Sequence, residues 1–156
     1  MNRYQLTIDP RSCWGCMACE VACKQENQVP GGIKYISVQE KGPEKLDGKL
    51  ALVYQVTLCR HCEQPECLEV CPEEAIGKRE DGIIVLDQEQ CHGCGACLQA
   101  CPYQAIAFDQ KKEKAAKCDL CFHRVDQGLL PACADNICLA QAISFKAVAA
   151  GENSAD

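Results

Sequence analysis

Long apolar runs are missing from this chain of 156 residues, and no stretch approaches the roughly 18 apolar residues that a helix needs to cross a bilayer. Aromatics are scarce: one Trp, four Tyr and three Phe. The apolar fraction of 47% falls to about 37% once cysteine is set aside, and a chain this short already struggles to bury enough surface. Something besides hydrophobic packing must therefore hold the fold together. A basic excess is missing too. With 16 Lys and Arg against 22 Asp and Glu, the formal charge is −6, and nothing is available to displace phosphate counterions. Nucleic acid is excluded as the main partner. Met1-Asn2-Arg3-Tyr4 shows neither an apolar signal core nor twin arginines, so a cytoplasmic address is expected; export with a signal-bearing partner stays open.

Cysteine is what the chain has in abundance, 16 in all. In a reducing compartment such thiols read as metal ligands sooner than as disulfides. They fall into four groups of four with none left over. The first is Cys13-x2-Cys16-x2-Cys19-x3-Cys23, and the second is Cys59-x2-Cys62-x4-Cys67-x3-Cys71 followed by Pro72. The third, Cys91-x2-Cys94-x2-Cys97-x3-Cys101 with Pro102, has the spacing of the bacterial ferredoxin run. The fourth is looser, Cys118-x2-Cys121-x11-Cys133-x4-Cys138.

This spacing has a mechanical reason. A C-x2-C-x2-C loop wraps one iron–sulfur cube and presents three thiolates to three irons. The fourth Cys, three residues on, begins a turn that points away and ligates a second cluster, whose own loop returns a ligand. Zinc sites also use C-x2-C pairs, but four-thiolate zinc usually takes two separated pairs. A disulfide framework belongs to short secreted chains. The radical-type C-x3-C-x2-C triplet is absent, which counts against direct chemistry at a cluster.

A repeat follows the last cysteine of three groups: Cys71-x3-Ala75-Ile76, Cys101-x3-Ala105-Ile106 and Cys138-x3-Ala142-Ile143. The small Ala can sit against a cluster while the Ile enters a strand and the core. The shared register keeps Cys138 as a ligand despite its extra preceding residue and the Leu139 that stands in place of Pro. Tyr4-Leu6-Ile8 alternates as a strand, Leu50–Leu58 is β-prone, and Ile76–Lys78 with Ile83–Leu86 reads as a hairpin around Asp81-Gly82. Closing strands are expected at Ile106–Phe108 and Ile143–Phe145. Lys24–Lys49 reads as a long polar connection, either a docking segment or a solvated loop, and Gln110–Lys117 as a solvated linker. The expected fold class is α+β: tandem bacterial-ferredoxin-like units, each with two 4Fe–4S clusters, one inserted within the other. The outer unit takes 1–49 and 111–146, the inner unit 50–110, and 147–156 form a flexible tail.

Two segments carry a resemblance to a known family. Cys59-Arg-His-Cys62-Glu-Gln-Pro-Glu-Cys67-Leu-Glu-Val-Cys71-Pro72, and Lys117-Cys118-Asp-Leu-Cys121 with Arg124, Val125, Gly128 and Pro131-Ala132-Cys133 downstream, resemble the iron–sulfur subunits of the dimethyl sulfoxide reductase family. The resemblance implies four 4Fe–4S clusters and a non-catalytic electron-transfer role in a hetero-oligomer. The implied partner is a molybdenum- or tungsten-pterin catalytic subunit, with a flavin/NAD-linked subunit or another electron carrier beside it. The implied ligand sets are Cys13, Cys16, Cys19 and Cys138; Cys118, Cys121, Cys133 and Cys23; Cys91, Cys94, Cys97 and Cys71; and Cys59, Cys62, Cys67 and Cys101. The first cluster would stand nearest the catalytic partner. The chain is shorter than the membrane-linked members and looks more like the small subunits of soluble tungsten enzymes, such as aldehyde oxidoreductases. A free-standing polyferredoxin carrier is the alternative.

A folded chain of this length has a radius of gyration of about 15 Å, so four clusters inside it must be close neighbours. Each oxidised cube with four thiolates carries about −2, which takes the loaded protein to roughly −14. Lys24, Arg60, Lys117 and Arg124 lie beside cysteines and are candidates to offset that charge. His61, His92 and His123 also lie in or beside the cysteine runs. With sixteen thiols for sixteen iron positions, they are expected to pack or hydrogen-bond.

Overall fold

The computed structural model describes residues 3–148. In chain order it has β1 (Arg3–Ile8), α1 (Ala18–Glu26), β2 (Ile36–Glu40), β3 (Glu44–Leu46), β4 (Lys49–Ala51), β5 (Tyr54–Leu58) and α2 (Glu66–Glu69). Next come β6 (Ile76–Lys78), β7 (Ile84–Leu86), α3 (Ala96–Ala100), β8 (Ile106–Asp109), β9 (Lys114–Lys117), α4 (Phe122–Val125) and β10 (Ile143–Val148). The strands form antiparallel pairs and no larger sheet among the described residues: β1 with β10, β2 with β5, β3 with β4, β6 with β7, and β8 with β9. Every helix is short, and the cysteine loops sit at the junctions between helices and strand pairs.

The chain reads as two similar halves. In the first, β1 leads through Asp9 into the three-thiol run and α1. In the second, β7 leads through Asp87 into the equivalent run and α3. Asp9 N–H donates to the Ala142 carbonyl at 2.8 Å, and Asp87 N–H donates to the Ala75 carbonyl, also at 2.8 Å. Each Asp side chain then accepts backbone N–H groups two or three residues on, from Arg11 in one half and from Glu89 and Gln90 in the other. These local Asx turns aim the chain into the cysteine loop. The pairing of β1 with β10 ties the ends of the two halves together, with Tyr4 stacked on Phe145 at 5.3 Å.

Two expectations are corrected. Lys24–Lys49 is not one polar connection: its first residues finish α1, β2 pairs with β5 (Ile36 opposite Leu58, Val38 opposite Val56), and β3 and β4 make a hairpin. Ile36-x-Val38 is a period-two apolar pair that polar neighbours hide, and both side chains are buried. Gln110–Lys117 is not a solvated linker either. Lys114–Lys117 forms β9 against β8, and Ala115, Ala116 and Lys117 are buried. Two strand pairs, β2 with β5 and β8 with β9, therefore straddle the boundaries expected near 50 and 110. Ala147 and Val148 belong to β10, and the rest of the expected tail lies outside the described residues.

The core is divided, as the low apolar content requires. One buried cluster joins Ile36, Val38, Leu58 and Ile143 with Cys19, Cys23 and Cys133. A second joins Ile76, Ile84, Ile106 and Ala115 with Cys97. A third holds Ile83, Leu120 and Val125. The first two are part aliphatic and part thiol. The three Ala-Ile pairs of the repeat, Ala75-Ile76, Ala105-Ile106 and Ala142-Ile143, are all buried.

Candidate metal centre

The local turns that present the thiols recur in all four groups. In the first Cys-x-x-Cys pair of each group the residue ahead of the second cysteine has positive φ: Gly15 at 67°, His61 at 46°, Gly93 at 80° and Leu120 at 58°. Left-handed residues in such turns curl backbone N–H groups inward and make anion-binding concavities of the kind used around iron–sulfur groups. Glycine is required at two of them. A Cβ on Gly15 would run into the Tyr54 ring, and one on Gly93 into the Glu113 carbonyl. After the last cysteine of three groups a matching turn follows: Glu74, Gln104 and Gln141 N–H donate to the Cys71, Cys101 and Cys138 carbonyls at 3.3, 3.1 and 2.9 Å. Cys138 makes this turn with Leu139 where the others have Pro.

Eight of the thiols gather in two fours drawn from distant loops. A cavity of about 360 Å³ is lined by Cys13, Cys16, Cys19 and Cys138, with Trp14, Met17 and aliphatic side chains around them. Another, of about 320 Å³, is lined by Cys71, Cys91, Cys94 and Cys97, with Ile76, Leu86 and His92. Cys67 has Cys59, Cys62 and Cys101 within electrostatic reach. Burial pushes Cys67 up to about 11, Lys117 opposes this, and Cys59, Cys101 and Cys62 add to the rise. Cys133 has Cys23, Cys121 and Cys19 within electrostatic reach, and Cys118 has Cys59 and Cys133. Burial pushes Cys23 and Cys133 up to about 12, with Cys121 adding in both cases, and takes Cys118 well above the ordinary thiol range. Cys19 and Cys23 lie four residues apart on α1, and both are buried. Their thiol neighbours differ: Cys13 and Cys138 add to the rise at Cys19, whereas Cys121, and after it Cys19, add to that at Cys23.

The donor sets fit iron–sulfur cubes better than single ions. Among the described residues no group of three or more His, Cys, Asp or Glu side chains is placed to hold one metal ion. The thiols instead ring spaces lined mostly by sulfur and carbon, where a water would lack the two to four polar partners it needs. Donors already point at the sulfurs. Asn27 Nδ2 lies 3.4 Å from Cys121 Sγ and 3.7 Å from Cys23 Sγ, and Ala105 and Leu120 N–H donate to Cys101 and Cys118 Sγ. Hydrogen bonds to sulfur are among the determinants of cluster potential. His61 adds an orphan. Its Nδ1 accepts the Ile84 N–H at 2.9 Å, which places the ring proton on Nε2, a buried atom without a partner. Burial, helped by the Lys117 and Arg3 charges, holds His61 down to about 3, so the ring is neutral. A sulfur-rich group among the neighbouring thiols would supply the missing acceptor.

The other singled-out residues separate by position. His92 faces Glu73 at 3.4 Å and His123 contacts Glu26 at 2.8 Å, both near the surface. Lys24 donates to the Pro30 and Ile33 carbonyls, Arg60 stacks over Tyr103 at 4.2 Å, and Arg124 bridges Glu26 and Asp135. Of the four candidate cations, Lys117 alone is buried. Trp14 lines the first cavity yet is 66% exposed, so it shields only one side of it. Asn27 and the pair Asp9 and Asp87 escape sequence reasoning. The shared Asp-x3-Cys spacing ahead of both three-thiol runs is the signal that reveals the aspartates.

Comparison with known proteins gives the same picture. A family model described as a 4Fe–4S dicluster domain matches residues 50–148, and a second with the same description matches residues 12–76. A tetrathionate reductase subunit of Salmonella typhimurium is 42% identical over 140 residues, which cover 86% of this chain and 54% of that one. A polysulfide reductase chain of Wolinella succinogenes is 38% identical over 146 residues, covering 92% of this chain and 76% of that one. An anaerobic dimethyl sulfoxide reductase chain of Escherichia coli is 36% identical over 151 residues, covering 92% and 73%. The sequence thus spans little more than half of the Salmonella subunit and about three quarters of the other two. With paired dicluster domains, sixteen cysteines and thiol sets suited to four 4Fe–4S clusters, it belongs to the family of iron–sulfur subunits that includes these three components of the tetrathionate, polysulfide and dimethyl sulfoxide reductases.

Proposed function

We propose that this chain is the electron-transfer subunit of a hetero-oligomeric oxidoreductase whose catalysis is carried by a molybdenum- or tungsten-pterin subunit. The proposed ligand sets are Cys13, Cys16, Cys19 and Cys138; Cys23, Cys118, Cys121 and Cys133; Cys71, Cys91, Cys94 and Cys97; and Cys59, Cys62, Cys67 and Cys101. One observation carries the reading: two cavities are each lined by four cysteines, three from one group and one from another, and the remaining eight cysteines are proposed to follow the same plan. When bound, each 4Fe–4S group supplies a one-electron couple. The protein supplies the rest. Its loops hold the thiols, its αL turns and Asn27 aim donors at sulfur, and its aliphatic side chains limit water.

Groups one and four form the proposed outer dicluster unit, and groups two and three the inner one. Support for this nesting comes from the strand pair β1 with β10 enclosing the rest of the chain. Among the described residues no helix is long and apolar enough to cross a membrane. The cytoplasm is the proposed address, to be checked by fractionation.

The narrower reading, a soluble aldehyde oxidoreductase-type complex, rests on compactness alone, whereas the relatives above are named for reduction of tetrathionate, polysulfide and dimethyl sulfoxide. A catalytic partner of that reductase kind is therefore preferred. Anaerobic purification from native cells tests the proposal. Stable co-elution with a pterin-containing subunit is expected, together with about sixteen irons per chain, four for each cube. A chain that elutes alone with its full iron favours the free-standing polyferredoxin and overturns the subunit reading.

A further inference from the structure

Lys117 is a buried cation without a counter-charge. Only 4% of it is exposed, and its Nζ donates to the Ile84 carbonyl at 2.5 Å and the Cys118 carbonyl at 2.6 Å. Both acceptors are neutral. Among the described residues no carboxylate forms an ion pair with it, although Arg3, Lys34, Arg79 and Arg124 all have one. A buried charge left in this state is costly unless something nearby carries the opposite sign. Its neighbours are thiols from two of the proposed ligand sets. Cys118 is adjacent in the chain and contributes its carbonyl. Cys67 packs against the core cluster that contains Ile84, the other anchor of the ammonium. His61, in the loop between Cys59 and Cys62, accepts the Ile84 N–H at 2.9 Å, so the second-group loop and the ammonium meet on one residue.

We infer that Lys117 is a positioning residue for electron flow: a single fixed positive charge, shared by the cluster of Cys59, Cys62, Cys67 and Cys101 and the cluster of Cys23, Cys118, Cys121 and Cys133, that raises the potentials of both. This rests on the ligand sets proposed above. Each oxidised cube with its thiolates carries about −2 and gains a further negative charge on reduction. A nearby buried cation favours that extra electron, and the low dielectric around it keeps the effect from being screened. Because the charge is common to both clusters, it moves the two potentials in the same direction. Lys24 and Arg60 are not buried, and Arg124 is paired with Glu26 and Asp135, so Lys117 alone combines burial with the lack of a counter-charge.

The test is an EPR-monitored redox titration of the cluster-loaded full-length chain, comparing wild type with Lys117→Gln and Lys117→Arg. Signals are assigned through Cys67→Ser and Cys133→Ser. In Lys117→Gln two midpoint potentials are expected to shift negative, those assigned through Cys67 and Cys133, while the other two stay in place. Lys117→Arg should keep wild-type values. Lys117→Met is a second neutral variant should Lys117→Gln shed iron. Unmoved potentials in a neutral variant with full iron overturn the inference, as does a shift confined to one cluster or spread over all four. Iron loss in both neutral variants, repaired by Lys117→Arg, makes the residue a structural support and overturns it too. If the wild-type chain takes up no iron, the ligand assignment itself fails, and that outcome is separate.

Discussion

His61 and Lys117 close the two free backbone groups of one strand residue: the His61 ring accepts the Ile84 N–H at 2.9 Å, and the Lys117 ammonium donates to the Ile84 carbonyl at 2.5 Å. The N–H and C=O of a strand residue face the same edge, so these two side chains stand where a third strand would pair with β7. They bring the second and fourth cysteine groups against the central hairpin. An edge that would otherwise carry unpaired polar groups becomes part of the scaffold around two thiol sets.

Removing one of these contacts has a defined cost. His61→Leu keeps bulk but leaves the buried Ile84 N–H without an acceptor, a penalty of about 1–3 kcal/mol. Cluster loss makes unfolding irreversible, so the readout is a rate. Bleaching of the visible absorbance in fixed guanidinium, under anaerobic conditions, should be about tenfold faster than in wild type. An unchanged rate removes His61 from the scaffold.

Glu20 ties α1 to β2. Its buried carboxylate accepts the Val38 N–H at 2.6 Å and the Lys34 ammonium at 2.7 Å. Glu20→Ala should destabilise this junction by about 1–3 kcal/mol, whereas Glu20→Gln keeps an acceptor for the amide and loses less. Amide exchange at Val38 should accelerate strongly in the first variant and modestly in the second.

Gly93 lies inside the third cysteine loop, against the turn between β8 and β9, where a methyl group would overlap the Glu113 carbonyl. Gly93→Ala should cost the chain one cluster selectively. Iron would fall by about four from a total of about sixteen, with one EPR signal missing. Gly31→Ala, where a Cβ meets nothing, should leave iron unchanged and stability within about 0.5 kcal/mol.

Iron removal should abolish the fold. The core is split into small patches, two of them part thiol, and ligand bonds replace the missing hydrophobic cohesion. Chelation of iron from anaerobic protein is expected to erase the cooperative unfolding transition seen by circular dichroism. A native-like, cooperative iron-free chain would contradict this account.

Much of the architecture was legible because its signals are local. The hairpin at Ile76–Lys78 and Ile84–Leu86, the strand around Tyr4-Leu6-Ile8 and the buried Ala-Ile pairs follow from short-range periodicity and turn residues. The pairing of β2 with β5 was not legible, because a five-residue strand inside a polar stretch gains its identity only from Val56 and Leu58 opposite it. Lys114–Lys117 looked solvated for the same reason. Nothing in a run with four lysines between Gln110 and Cys118 tells which lysine will find two carbonyls in the interior.

The count and spacing of the cysteines determined by themselves that this protein is built around iron–sulfur cubes, because three thiols within seven residues suit the corners of one cube and a fourth, three residues on, turns away from it. Tertiary structure alone decided which distant loops stand together, which cation is buried beside Cys118, and which backbone edge the side chains of His61 and Lys117 close. Those outcomes depend on long-range strand pairing and on the desolvation of charge, and neither is written in any local stretch of sequence.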